Sequence, residues 1–178
     1  VSENISVDID ADEIARELTL YSSFVKAFNV KLIQNGFPIL FISVDKSNGQ
    51  AVDKILEQMF LNKILSKVWV IIALDFGNSI EDLSLALWFA SGNLDPQRDL
   101  HLFRVDDDSR TRIGIDATRK AYRTDNFKRD WPNVVMMDKN TIERIDNIWN
   151  ELEIGDFIVS PSIALQPLQV GNEPVVRF

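Results

Sequence analysis

Val68-Trp69-Val70-Ile71-Ile72-Ala73-Leu74, closed by Asp75, is the run that decides the fold. It is continuously apolar and rich in β-branched residues. A strand facing water on one side alternates apolar with polar; a strand covered on both faces reads like this one. The run therefore predicts a central strand of a sheet with helices on either side. Asp75 then falls at the carboxyl edge, where open α/β sheets gather their polar groups.

The flanking segments fit that frame. Upstream, Val52, Ile55, Leu56, Met59 and Phe60 recur at helical spacing, and Ser47 or Asn48 is the expected cap of a helix running to about Leu61. Two apolar runs, Phe28 to Ile33 and Phe37 to Val44, are separated by Asn35-Gly36, which predicts a hairpin because both turn residues tolerate positive φ. From Ala11, Ile14, Leu18 and Tyr21 mark a first helix with Asp10 or Asp12 as cap. Ile5 to Ile9 alternates as a short strand or linker end would.

Downstream, Ser79-Ile80-Glu81-Asp82 resembles a capping box. It opens a helix through Ala90 that turns Leu83, Ala86, Leu87 and Ala90 inward and stops at Gly92. Leu100 to Val105 and Ile113 to Ala117 are expected strands. Asn133 to Met137 is expected as a last short strand. Asp138 or Asn140 then caps a helix carrying Ile142, Ile145, Ile148, Trp149 and Leu152. Trp69, Trp88 and Trp149 are expected in the core.

The expected fold is thus a three-layer α/β/α sandwich with a mostly parallel mixed sheet and an antiparallel edge hairpin. Residues 1–27 read as an N-terminal helix and linker, 28–155 as the α/β domain. Residues 156–178, with Pro161, Pro167 and Pro174, read as an extended tail.

The chain has 178 residues, a net charge of −8, no cysteine and one histidine, His101. Disulfides and thiolate metal sites are excluded, and so is a metal site or acid–base pair built on two histidines. No basic stripe interleaved with aromatics is present, so nucleic acid is not the expected partner. No apolar run reaches membrane-spanning length and no signal peptide is visible, so no membrane span and a cytoplasmic location are expected. The opening residue is Val1, which fits a fragment of a longer protein.

The chemistry-bearing stretches are few. The joint Asp45-Lys46-Ser47-Asn48-Gly49-Gln50 holds a single glycine, so the Gly-x-Gly-x-x-Gly dinucleotide fingerprint is missing. Asp106-Asp107-Asp108 lacks the alternating ligands and glycine of a calcium loop and reads as a solvated turn. In Asp95-Pro96-Gln97-Arg98-Asp99, Pro96 stops the preceding helix. Asp95 and Asp99 tie down loop amides, and Arg98 braces the loop through a bidentate carboxylate pair. Asp116, Thr118 and Lys120 form a polar cluster just past an expected strand, with Arg112 before it. That is where α/β sheets place ligand contacts, which makes these four the candidate ligand-facing residues.

In order, Asp95-Pro96-x-Arg98-Asp99, Gly114-Ile115-Asp116-Ala117-Thr118-x-Lys120, and Trp131-Pro132 through Met137-Asp138 to Ile145-Asp146-x-x-Trp149 resemble the C-terminal domain of the UbiD-type decarboxylases, the 3-polyprenyl-4-hydroxybenzoate carboxy-lyase family. Phe37-Pro38-Ile39 and the strand ending in Asp75 add to the likeness, which spans Gly36 to about Leu152. The resemblance implies a longer parent enzyme. Its N-terminal region holds prenylated FMN with a divalent metal and a monovalent cation, together with a catalytic Arg and two Glu. The C-terminal domain walls the substrate pocket, acts as a lid and mediates homo-oligomerisation. No catalytic, flavin-binding or metal residue is carried over to this chain, so the isolated chain is expected to be inactive. Arg112, Asp116, Thr118 and Lys120 become candidates for the substrate wall, and Asp95, Pro96, Arg98 and Asp99 a structural motif. Two departures stand out: a shortened loop, Val105 to Thr111, and Arg112 where relatives carry Lys. Two rivals are a stand-alone, non-catalytic subunit docking on a flavin-bearing partner and a small-molecule-binding domain using the Arg112–Lys120 cluster.

Overall fold

The computed structural model describes residues 9–104 and 110–176. The acidic run Asp106–Asp108 and most of the Ile5–Ile9 stretch lie outside the described residues. By packing, the chain forms two compact units that divide between Phe127 and Lys128. Residues 128–155, expected with the sheet, group with the tail instead.

The first unit runs α1 (Ala11–Leu18), β1 (Val25–Asn29), α2 (Lys31–Gln34), β2 (Ile39–Val44), α3 (Val52–Leu61), β3 (Val70–Asp75), α4 (Leu83–Asn93), α5 (Pro96–Asp99), β4 (Leu100–Arg104), β5 (Thr111–Asp116) and α6 (Tyr122–Asp125). Its five strands lie in the order β1-β2-β3-β5-β4. β2, β3 and β5 are parallel, and β1 and β4 run antiparallel at the two edges. The mixed, mostly parallel α/β sheet expected from the apolar run at Val68 is therefore present, with the run itself at the centre.

Strand alternation divides the core. Leu40, Ile42, Ile71 and Ala73 join Ile14 and Leu18 of α1 and Val52, Ile55, Leu56, Met59 and Phe60 of α3 in one cluster. Their neighbours Phe41, Ile72 and Leu74 are also buried and point to the other face. There α4 packs on β3 and contributes Ala86, Phe89 and Ala90. Gly114 of β5 sits under α3: a Cβ there would lie 2.9 Å from Leu56 Cδ1 and 2.9 Å from the Phe103 ring. Any larger residue here would force the Leu56 and Phe103 side chains to shift.

Several local expectations are corrected. The antiparallel partners β1 and β2 are joined by α2, not by a two-residue turn. Asn35 has φ −97° and only Gly36 is left-handed, at φ 82°. The Phe37 amide donates to Leu32 O and the Gly36 amide to Ile33 O, the Schellman pattern. A left-handed glycine ends a helix as readily as it turns a hairpin, so Asn-Gly carried both meanings. Helix α3 begins after Ala51, with no side-chain cap from Ser47 or Asn48. Helix α4 begins after Asp82, whose carboxylate accepts from the Ser84 and Leu85 amides, and it runs through Gly92. Trp88 is 57% exposed, not core, and Leu87 is also exposed. An apolar residue occurs on every side of α4, and one sheet can cover only the side bearing Ala86, Phe89 and Ala90.

In the second unit, β6 (Trp131–Pro132) pairs antiparallel with β7 (Val175–Val176), and α7 (Lys139–Ile148) is capped by Asp138. Asn133–Met137 is not a strand. The buried Asn133 side chain instead donates to Val170 O and Glu173 O. Nor is the tail extended. It contains α8 (Ser162–Leu165) and returns to pair with β6. Pro161 immediately precedes α8, and Pro167 stands in the first turn of a 3₁₀ helix, positions where a missing amide costs nothing. Among the described residues, no helix is long and apolar enough to cross a membrane.

Candidate functional site

Parallel strands deliver their carboxyl ends to one edge. Val44 lies opposite Asp75, and Ala73 opposite Asp116. Because β4 is antiparallel, its first residue, Leu100, pairs with Ile115, which brings the preceding Asp99 to the same edge. The backbone thus collects Lys46, Asp75, Asp99 and residues 116–120 from four separate segments.

Lys120 is the hub. Its side chain is 1% exposed, and Nζ donates to Asp116 O and Thr118 O at 2.8 Å each. It also lies 3.0 Å from Asp116 Oδ1 and 3.5 Å from Asp99 Oδ1. Asp116 Oδ1 in turn accepts from the Thr118 amide and hydroxyl. Asp99 accepts from Arg98 Nε at 2.7 Å and Nη2 at 2.6 Å, and from the Asp95 amide. The two sequence motifs, Asp-Pro-x-Arg-Asp and Asp-Ala-Thr-x-Lys, therefore meet in space. Burial pushes the Asp99 carboxyl up, but Arg98, the Asp95 amide and Lys120 outweigh it and hold the group below the usual carboxylate range.

A second knot lies beside the first. Lys46 Nζ donates to Thr118 Oγ1, Arg119 O and Asp125 Oδ2 at 3.0, 2.7 and 2.8 Å. Asp125 also accepts from the Ala121 amide and the Thr124 hydroxyl. Burial raises its carboxyl, and the Lys46 and Ala121 hydrogen bonds with the Lys46 charge more than reverse this. At Asp75 the balance goes the other way. Burial dominates and pushes the carboxyl up, despite the Arg119 amide and the Arg119 and Lys46 charges.

Asp95, Pro96, Arg98 and Asp99 behave locally as expected: Asp95 Oδ1 accepts from the Gln97 amide and Arg98 forks onto a carboxylate, here Asp99. Pro96, however, opens α5 in place of merely ending α4. Asp116, Thr118 and Lys120 are brought together, all buried. Arg112 is not with them. It is buried at the amino end of β5, donating to Ser66 O at 2.5 Å and Arg110 O at 3.2 Å. Lys46 and Asp125 were missed; the available signal was that Lys46 stands two residues past the end of β2, as Asp75 ends β3.

The edge borders a cleft of about 360 Å³. Its floor includes Asp99, Asp116 and Lys120, with His101 beside them. Ala51–Asp53 at the start of α3 form one wall, and Arg123–Asn126 the other. The buried ions fix the shape of this cleft and bond largely to one another. Among the other lining residues, Arg123 and Asn126 are exposed and His101 is half-buried.

No family model matches the chain. An uncharacterized protein of Archaeoglobus fulgidus is 26% identical over 125 residues, 64% of this chain and 26% of its own length. The chain thus spans about a quarter of that curated relative. The open form of vanillic acid decarboxylase from Sedimentibacter hydroxybenzoicus superposes with a TM-score of 0.53 and 14% identity, over 79% of this chain and 31% of that one. The UbiD-class enzyme HmfF from Pelotomaculum thermopropionicum, solved with prFMN, matches 66% of this chain and 25% of its own, at 20% identity and a TM-score of 0.48. The likeness to vanillic acid decarboxylase shows the fold: a part of that enzyme is built as this chain is.

Proposed function

We propose that the chain is the C-terminal domain of a UbiD-type decarboxylase and forms the substrate-side wall and lid over a flavin held by an N-terminal domain. The observation that carries this reading is the joining of Asp99 to Lys120. It unites the two motifs on which the resemblance rests, in a fold shared with part of a decarboxylase. The parent would remove carbon dioxide, without net oxidation, from an aromatic or α,β-unsaturated acid, with 3-polyprenyl-4-hydroxybenzoate of quinone biosynthesis as the leading candidate. It would act as a cytoplasmic homo-oligomer.

The described residues do not fit a metal-held flavin. The carboxylates at the sheet edge are committed to Lys46, Lys120, Arg98 and Arg119. Among the described residues, no three His, Asp or Glu are grouped to hold a metal ion. Prenylated FMN, with its divalent metal and monovalent cation, is therefore assigned to the parent's other domain, where it supplies the electron sink. The role left to Arg112, Asp116, Thr118 and Lys120 is to hold the wall's shape, Arg112 from the far end of β5.

The test is expression of the complete reading frame beside the 178-residue chain, both with a supply of prenylated flavin. The longer protein should bind flavin and release carbon dioxide from an aromatic acid; the shorter should do neither. Turnover or bound flavin in the shorter chain, or a frame coding for no flavin-binding region, overturns the proposal.

A further inference from the structure

Residues 121–126 are tied to the rest of the first unit by polar bonds. Tyr122 and Arg123 of α6 are exposed, and its half-buried residues are Thr124 and Asp125. Its upstream anchor is Lys120, tied to Asp99 and Asp116. Downstream, the Arg98 guanidinium lies 5.2 Å from the centre of the Phe127 ring. Between these pins the attachment runs through Asp125. Its carboxylate takes Lys46 Nζ at 2.8 Å and the Ala121 amide at 2.7 Å, and both side chains of the ion pair are about nine-tenths buried. Lys46 comes from the β2–α3 connection, which ends at the opposite wall of the cleft. One ion pair therefore ties the two walls together across 79 positions of sequence.

We propose that residues 121–126 are a strap latched over the carboxyl-edge cleft by the Lys46–Asp125 pair, and that the strap unwinds locally between Lys120 and Phe127 when the pair breaks. Lys46 is in this sense a positioning residue: it sets where Arg123 and Asn126 stand over the cleft. The unwinding stops at Lys120 because the residues before it are held by separate bonds, including that from the Arg119 amide to Asp75. The inference concerns this chain's own motion and does not depend on the decarboxylase reading.

Amide hydrogen exchange on the purified chain tests it. The reporting amides are Ala121, Asp125 and Phe127, which bond to Asp125 Oδ2, Ala121 O and Ala121 O. Asp125→Asn and Lys46→Met should each speed exchange in residues 121–127 by about ten-fold or more, while β2, β3 and residues 116–120 keep their protection. Lys46→Arg should restore most of it. The double variant Lys46→Met/Asp125→Leu removes both charges, so it keeps the test valid if either single variant folds poorly. It should exchange as fast as the singles, with no further loss. Unchanged exchange in 121–127, or acceleration spread evenly over the sheet, overturns the proposal.

Discussion

The two ends of β5 were expected to serve one site, and the structure gives them different chemistry. At the amino end, Arg112 directs its guanidinium at the backbone carbonyls of Ser66 and Arg110. At the carboxyl end, Lys120 sits between the carboxylates of Asp99 and Asp116. Asp116 stands four positions after Arg112, roughly 13 Å at strand rise. Both cations are buried, so burial alone does not mark a functional edge. What differs among the bonds described is the partner. At the amino end two backbone carbonyls accept from the guanidinium. At the carboxyl end the carboxylates of Asp99 and Asp116, from two segments, define a surface that strands of a parallel sheet all reach.

The largest test of this contrast is Lys120→Met. It leaves Asp99 and Asp116 buried without their shared cation, and breaking a buried pair in this way costs about 3–5 kcal/mol. Urea unfolding should show that loss. Adding Asp116→Asn to the same chain should recover part of it, because Asp99 keeps its bidentate Arg98 and the charge left without its cation is that of Asp116. A Lys120→Met chain as stable as the parent would mean that the knot contributes nothing.

Arg112→Met is the matching change at the other end. It removes hydrogen bonds from a charged donor to two carbonyls, and each bond of this kind is worth about 2 kcal/mol. Arg112→Lys should not restore full stability, since an ammonium lacks the planar fork. If Arg112→Met costs more than Lys120→Met, the contrast is reversed.

The sequence made this fold legible where one signal had one meaning. The apolar run at Val68 could only be a strand covered on both faces, and the spacing in Val52–Phe60 could only be a buried helix face. Asp95, Arg98 and Asp99 were legible because their bonds close within a few residues. Lys46 and Asp125 were not, since their pairing depends on how far β2 and β5 run past the sheet. Arg112 was misplaced because adjacency in sequence stood in for adjacency in space, and a strand carries its two ends apart. Asn35-Gly36 and the tail prolines failed for a different reason: a left-handed glycine or a missing amide suits a helix end as well as a turn or an extended chain.

The smallest expected effects are in pH dependence, and they separate carboxylates within the edge itself. Asp99 and Asp125 are held below the ordinary value of about 3.9. Each adds stability that is fully present above that value and is lost as pH falls through its own lower one. Asp75 is raised by burial, so its contribution has the opposite sign: present below the ordinary value and lost as pH rises through the raised one. Asp99→Asn should therefore flatten the acid limb of the unfolding midpoint below about pH 4. Asp75→Asn should leave that limb alone and make the midpoint climb more steeply, or fall less, as pH rises above about 4. Its amide oxygen can still accept from the Arg119 amide, so the change in slope reports the buried charge and not a lost backbone bond. Equal slopes for Asp75→Asn and the parent chain would show that Arg119 and Lys46 offset the burial of Asp75 in full.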